Sequence, residues 1–268
     1  MNIEVWSLEF GKPAVAAAAL MTLWILEWFV PMFVDRRRRL THDLANLALA
    51  GINTVVTVVL FAAAMLMVTE WAARESFGLL HWLDLPIVLA WVVGLVLFDA
   101  WMYGWHVLNH RVPLLWRFHA VHHADREMNV SSAVRFHTGE IVLSSLARLA
   151  VLPLLGLTMP QLLLYELVLL PVILFHHSNV RISRRLDSCL RWLIVTPWMH
   201  WVHHSRWQPE TDSNFASVLS IWDRLFRTFR LRDDPQQLEL GLEDDRDERQ
   251  WRTLGGMLLR PFRQRRRR

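Results

Sequence analysis

The chain has 268 residues and a single cysteine, Cys189. No disulfide can form within it, and no thiolate cluster such as an iron–sulfur centre can be assembled. A metal bound here is bound by nitrogen and oxygen. Charge is also scarce, at 20% of residues against 53% hydrophobic, and the mean hydropathy is positive. A basic region ahead of the first apolar run is missing, and that run is long, so it reads as a span and not as a cleavable signal peptide. What the chain has in quantity is tryptophan, 15 residues, a side chain that favours membrane interfaces.

The formal charge of +4 hides a segregation. Arginine dominates the basic residues and comes in runs, Arg36 to Arg39 and Arg265 to Arg268, while acidic residues concentrate in 233–248. Such runs can mark nucleic-acid binding, but here they flank apolar spans, so membrane orientation is the better reading and no nucleic-acid partner is expected. Residues 13–34 are apolar apart from Glu27 and long enough to cross a hydrocarbon core of about 30 Å. Residues 44–68 and 85–105 make a second and a third span. The stretch 141–175, interrupted by Arg148 and Glu166, is too long for one span. Pro153, Gly156 and Pro160 punctuate its middle, which predicts a helical hairpin turning near Gly156.

The expected fold is therefore all-α, with a stem of four to five spanning helices and a histidine-rich helical cap. Its divisions are an N-terminal transmembrane region (1–94), a catalytic region (95–230) that includes the hairpin, and a charged C-terminal tail (231–268). Arg36–Arg39 places the first loop in the cytoplasm of a cell whose inner membrane holds the protein. The histidines then emerge on that same side, together with Arg111, Arg117, Arg126, Arg135, Arg181, Arg184 and Arg185. From 178 on the chain is amphipathic, as for a cap lying against the membrane. Residues 232–250 read as charged and mobile, and the arginine tail as an anchor to anionic lipid.

Eight of the 13 histidines fall in three clusters: His106 and His110; His119, His122 and His123; His200, His203 and His204. Offsets of three and four residues share one face of a helix, so each cluster can aim its imidazoles at a single point. Imidazole is a common ligand for Zn, Fe, Cu and Ni. Eight ligands exceed one tetrahedral site and suit two ions held close together. His177, at the end of the hairpin, is a good additional ligand, and its neighbour His176, facing about 100° away, is the weaker one. His137 stands between ligand and supporting group. Asp99 and Tyr103 share a helical stripe with His106 and His110. Asp99 is placed to orient a ligating imidazole, and Tyr103 is placed to pack or support. Glu140 is an outer carboxylate or a helix-start charge. Asn179 is a metal-reaching amide or a helix-end residue. His42 and His81, near other span ends, read as interfacial and are left out of the site.

These elements occur in a fixed order: D-x-x-x-Y-x-x-H-x-x-x-H at 99–110, W-R-F-H-x-V-H-H at 116–123, R-x-H-x-x-E at 135–140, H-S-N at 177–179 and T-P-x-x-H-x-V-H-H at 196–204. S-N-F and L-x-x-W-D-R-L-F-x-T complete the set at 213–228. The set resembles the fatty acid hydroxylase superfamily, also called the sterol desaturase family. The resemblance implies an integral-membrane non-haem di-iron oxygenase that uses O2 and two electrons to hydroxylate or desaturate a lipid C–H bond. It implies metal ligands at His106, His110, His119, His122, His123, His177, His200, His203 and His204, with His137 and Asn179 also on family positions. Val107, Thr138 and Arg227 depart from the family's usual arginine, proline and glycine, which weakens kinship to the sterol enzymes without removing a ligand. No cytochrome-b5-like segment is visible, so electrons should come from a separate ferredoxin- or cytochrome-type donor. A metal transporter using the same histidines would spread them at mid-bilayer depth, whereas here they sit at span ends and beyond.

Overall fold

The computed structural model describes residues 3–33, 39–243 and 248–263, with side chains from residue 11 onward. The described residues form helices and three isolated β-bridges. Five helical stretches are long and apolar enough to cross a membrane: Gly11–Phe29, Arg39–Trp82, Ile87–Arg111, Thr138–Leu155 and Met159–His177. This is an integral-membrane helical stem carrying a cap of short helices.

Helix α1 (Ile3–Phe29) is followed by α2 (Arg39–Thr57), which passes through a π-helical turn at Val58–Ala62 into α3 (Ala63–Arg74). The second span is therefore longer than the apolar run 44–68. Its first turns bury His42, Asp43 and Asn46 against Asp125, Asn129 and Ser131 in the segment after α6. Polar residues ended the apolar run, but helix formation continued because those side chains find partners there. His42 is thus not interfacial: its Nε2 lies 2.9 Å from both carboxylate oxygens of Asp125.

A short α4 (Leu79–Trp82) leads into α5 (Ile87–Arg111). Val112 then leaves the helical region at φ −92, ψ 116, as the residue before a proline must, and Pro113 opens α6 (Pro113–His123). This reversal sets the α6 histidines beside those of α5. The expected hairpin is present: α7 (Thr138–Leu155) stops at Gly156 with φ 74, and α8 (Met159–His177) starts from a capping box. In that box Thr158 accepts from the Gln161 amide while Gln161 Oε1 accepts from the Thr158 amide at 2.9 Å. Gly78 packs against this turn so closely that a Cβ there would lie 2.3 Å from the Pro153 carbonyl oxygen.

Phe61, Met65, Phe98, Leu152, Leu162, Tyr165 and Leu169 form the stem core. Lipid tails are as apolar as these side chains, so packing and polar ties hold the helices together. Lys12 and Arg148 both pair with Glu166, at 2.5 and 3.0 Å.

The cap contains α9 (Arg184–Leu190), α10 (Pro197–His203), α11 (Gln208–Thr211) and α12 (Ile221–Leu225). It is completed by α13 (Glu248–Arg252) and α14 (Leu254–Arg263). The C-terminal region corrects the expectation of a mobile charged tail. Arg206 N donates to Glu239 O at 2.7 Å, and Ser205 bridges Leu240. Leu238, Trp251 and Met257 are buried. Apolar residues spaced among the charges dock this segment, which a charge count alone misses. Arg36–Arg38, residues 244–247 and Arg265–Arg268 lie outside the described residues. Arg39 is described, and it is no free loop charge: its guanidinium pairs with Glu27 at 2.6 Å inside the protein.

Candidate metal centre

Nine imidazoles from four helices converge in two neighbouring groups. His106, His110, His119, His123 and His203 form one, and His122, His177, His200 and His204 the other; within each group the candidate ligand atoms all lie within 4.8 Å of one another. The clusters do not each point to a single place, as the sequence suggested. The i, i+4 pairs 106/110, 119/123 and 200/204 stay together, while the remaining histidine of α6, His122, and of α10, His203, turns to the other group. Adjacent histidines on a helix diverge by about 100°, so each H-x-x-H-H segment serves both sites. The groups touch: the rings of His123 and His204 lie 4.5 Å apart.

The outer ring nitrogens of several of these histidines are held by acceptors, while Nδ1 of His123, His200 and His204 is buried without a partner. His106 Nδ1 faces the Phe215 carbonyl at 2.8 Å, His203 Nδ1 that of Ser213 at 2.7 Å, and His177 Nδ1 that of Ile173 at 2.7 Å. His122 Nδ1 faces the Arg135 carbonyl at 3.3 Å, and His119 Nδ1 faces Glu140 Oε1 at 2.8 Å. A carbonyl can only accept, so these Nδ1 atoms carry the proton and each Nε2 presents a lone pair. Yet Nε2 faces Nε2 at 3.2 Å between His106 and His119, and at 3.1 Å between His122 and His177. Lone pairs aimed at each other in a buried site repel unless a cation sits among them. Two nitrogens about 2.0–2.1 Å from one ion lie roughly 3 Å apart. His110 Nε2 and His203 Nε2 are likewise buried without a hydrogen-bond partner. The donor set therefore fits metal ions, and each group has the chemistry of an all-nitrogen site.

Burial, reinforced by neighbouring imidazoles, holds His122, His123, His200 and His204 well below the ordinary histidine range. Burial takes His203 down to about 3. These rings are neutral near pH 7, the state that binds a metal.

Several candidate residues serve elsewhere. His137 belongs to neither group: its Nδ1 accepts from the Gly139 amide at 2.8 Å, capping α7, and its Nε2 donates to the Leu258 carbonyl at 3.1 Å. His176 stacks flat on His200, ring centres 4.0 Å apart, and is also outside both groups. Asp99 orients no imidazole; it accepts from Tyr165 Oη at 2.6 Å, Trp222 Nε1 at 2.7 Å and Leu219 N at 3.0 Å. About two turns of helix separate it from His106, so the shared stripe is not a shared contact. Tyr103 pairs with Thr228 at 2.9 Å and stacks on Phe226. Asn179 points away from the centre: Oδ1 accepts from Phe33 N and Nδ2 donates to Phe33 O, each at 3.0 Å, fastening the chain after α1. Glu140 does contact a clustered histidine, His119.

Sequence reasoning missed Asp212, whose Oδ1 lies 3.3 Å from His110 Nδ1, and Phe215, whose ring packs on His106, His110 and His203. The S-N-F motif was the available signal for Phe215. Glu27, read only as an interruption of a span, accepts from the amides of Val130 and Asn179 at 2.7 and 2.6 Å.

An all-α membrane protein with paired polyhistidine sites is the class that this geometry defines. The chain belongs to the fatty acid hydroxylase family, whose model matches residues 91–228, just over half of its length. It is 32% identical over 157 residues to the ornithine lipid hydroxylase OlsE of Rhizobium tropici, covering 59% of this chain and 46% of that protein. It is 32% identical over 161 residues to the alkylglycerol monooxygenase of Danio rerio, covering 58% of this chain and 34% of the relative. It is 28% identical over 185 residues to the cholesterol 25-hydroxylase of Rattus norvegicus, covering 62% and 59%. The chain thus spans less than half the length of the first two of these relatives. No solved structure matches it.

Proposed function

We propose that this chain is a membrane-bound non-haem di-iron oxygenase that hydroxylates, or desaturates, a lipid C–H bond with O2 and two electrons from a separate donor. The observation that carries this reading is the pair of imidazole groups whose Nε2 lone pairs face inward at the membrane ends of α5 and α8. His106, His110, His119, His123 and His203 would hold one iron, and His122, His177, His200 and His204 the other. Bound iron supplies the one-electron and O2 chemistry that an unactivated C–H bond requires and that side chains lack.

The chain's own residues do the rest. Fixed carbonyls hold His106, His122, His177 and His203, and Glu140 holds His119, each in one tautomer, so these ligands are preorganised. Phe215, edge-on to His110, and Phe136, stacked on His122, keep the surroundings apolar and shed water. The relatives named above act on an ornithine lipid, an alkylglycerol and cholesterol, so a membrane amphiphile is the substrate class. Exposed Arg111, Arg126, Arg181, Arg184 and Arg185 surround the cap, which supports a cytoplasmic placement from which the electron donor reaches the site.

Two measurements test the proposal. Purified protein should carry about two irons per chain, in keeping with an imidazole set larger than one site takes. Lipid extracts of expressing cells should gain a product heavier by one oxygen, or lighter by two hydrogens, than a lipid of non-expressing cells. A His122→Ala protein that still makes this product overturns the scheme.

A further inference from the structure

The cap carries an apolar surface that no described residue covers. On α9 and the turn after it, Leu186, Cys189, Trp192 and Leu193 face outward, with Trp192 71% and Leu193 65% exposed. Ile221, Leu225 and Phe226 of α12 and its end do the same, Leu225 being 62% and Phe226 56% exposed. These two sets form one surface. Val195 N donates to Val218 O at 3.0 Å and Ser220 N to Leu193 O at 3.2 Å, and the Arg224 guanidinium lies 4.7 Å over the Trp192 ring. The opposite side of α9 is polar and satisfied, Asp187 accepting from Thr196 at 2.6 Å and Arg191 at 2.8 Å. A soluble surface rarely leaves so many large apolar side chains together, and such patches mark membrane or protein contacts.

The ties to α5 decide between these. Trp222 donates to Asp99 at 2.7 Å, and Phe226 stacks on Tyr103 with ring centres 5.1 Å apart. Tyr103 and Asp99 lie eight and twelve residues before the end of α5 at Arg111, roughly 12 and 18 Å back along its axis. The 219–226 segment therefore sits alongside a membrane-spanning stretch, below the level at which His110 emerges. At that depth the exposed leucine, phenylalanine and tryptophan side chains continue the lipid-facing surface of the stem. Exposed Arg185 and Arg227 lie at the margin, where arginine reaches lipid phosphates while its stem stays in the apolar layer.

We propose that Leu186, Cys189, Trp192, Leu193, Ile221, Leu225 and Phe226 are inserted among the phospholipid acyl chains of the leaflet nearest the metal centre. The cap is thus a wedge in the membrane and not a lid above it. An aromatic column leads inward from this wedge: Phe226 on Tyr103, Tyr103 to Phe215 at 6.2 Å, and Phe215 to His110 at 5.0 Å. Given the oxygenase reading, on which this step alone rests, the column marks the side from which a lipid tail approaches the five-histidine group.

The lone cysteine makes the test direct. The full chain, reconstituted in phospholipid nanodiscs, is labelled at Cys189 with a nitroxide. Its collision rates are compared for O2, which partitions into lipid, and for a water-soluble nickel chelate. The same is done for Leu225→Cys and for Glu239→Cys, each in a Cys189→Ser background. Labels at 189 and 225 should favour O2 over nickel several-fold, and the label at 239 should favour nickel. Nickel access at 189 and 225 equal to that at 239 overturns the insertion, and so does shielding from both reagents, which would mean a protein partner. A Leu193→Asp, Leu225→Asp protein that keeps its iron should raise KM for lipid more than it lowers kcat. If the chain proves to have no oxygenase activity the collision data still decide insertion, so the two ideas fail separately.

Discussion

His119 and Glu140 form a coupled pair: the imidazole Nδ1 lies 2.8 Å from the carboxylate Oε1, and both side chains are buried. On its other edge, the Nε2 of His119 faces those of His106 and His123, each at 3.2 Å. The carboxylate sets the tautomer that turns a lone pair inward.

Replacing Glu140 by glutamine keeps the shape and removes the charge. Metal affinity should fall by about 10–100-fold, the usual effect of losing such an outer partner, measured by competition with a chromophoric chelator. Unchanged affinity in Glu140→Gln would show that the carboxylate does not act on the metal centre.

The split of neighbouring histidines predicts a stoichiometry. His122 and His123 are adjacent in sequence but lie in different groups. His122→Ala and His123→Ala should each lower bound metal from about two ions per chain toward one, as expected when one group loses a ligand and the other keeps its set. The residual ion should differ in its spectroscopic signature between the two variants. His137→Ala should keep both ions, since His137 binds Gly139 and Leu258. Its cost should appear in thermal stability and in protease cleavage near α14.

That contrast shows what the sequence could carry. The i, i+4 spacing announced which histidines share a face, because helix geometry is local. It could not announce where His203 or His122 would turn, because that depends on which helix arrives from the other side. The hairpin was legible from Pro153, Gly156 and Pro160, which act within a few residues. Asp99 was misread for the opposite reason: its partners Tyr165, Leu219 and Trp222 lie 66, 120 and 123 residues away, and no spacing rule connects them. The buried set of His42, Asp43, Asp125 and Asn129 was hidden in the same way, since His42 and Asp125 are 83 residues apart.

Asp99 therefore carries a prediction of its own. Asp99→Ala strands a tyrosine hydroxyl, an indole N–H and a backbone amide in a buried place, each worth about 1–3 kcal/mol when left unmade. The thermal midpoint in detergent should drop by several degrees, while the metal-to-protein ratio of the folded fraction stays the same. A fall in metal affinity at unchanged stability would return Asp99 to the role of orienting an imidazole.

Asp223 gives the pH dependence. Its Oδ1 accepts from Phe215 N at 2.7 Å and Thr228 Oγ1 at 2.8 Å, and its Oδ2 from Ala216 N at 3.1 Å. It thereby fixes the peptide whose carbonyl faces His106. Burial pushes its carboxyl up from 3.8 to about 6, the hydrogen bonds only partly opposing this. Between those values the folded chain holds a proton that the unfolded chain has released. This group's contribution is therefore present in full below about pH 4 and is lost as pH rises through 6. The loss amounts to about 3 kcal/mol at most, at 1.36 kcal/mol per pKa unit. The buried histidines slope the other way, because the unfolded chain takes up their protons below about 6.5, and that slope is common to wild type and variant. Asp223→Asn has no carboxyl to titrate. Unfolding midpoints of the two proteins, measured from pH 4 to 7, should therefore diverge most at pH 4, where the protonated carboxyl is buried without a charge penalty. The gap should narrow toward pH 6.5. A gap that is constant across the range would mean that Asp223 titrates in the folded protein as an ordinary carboxylate.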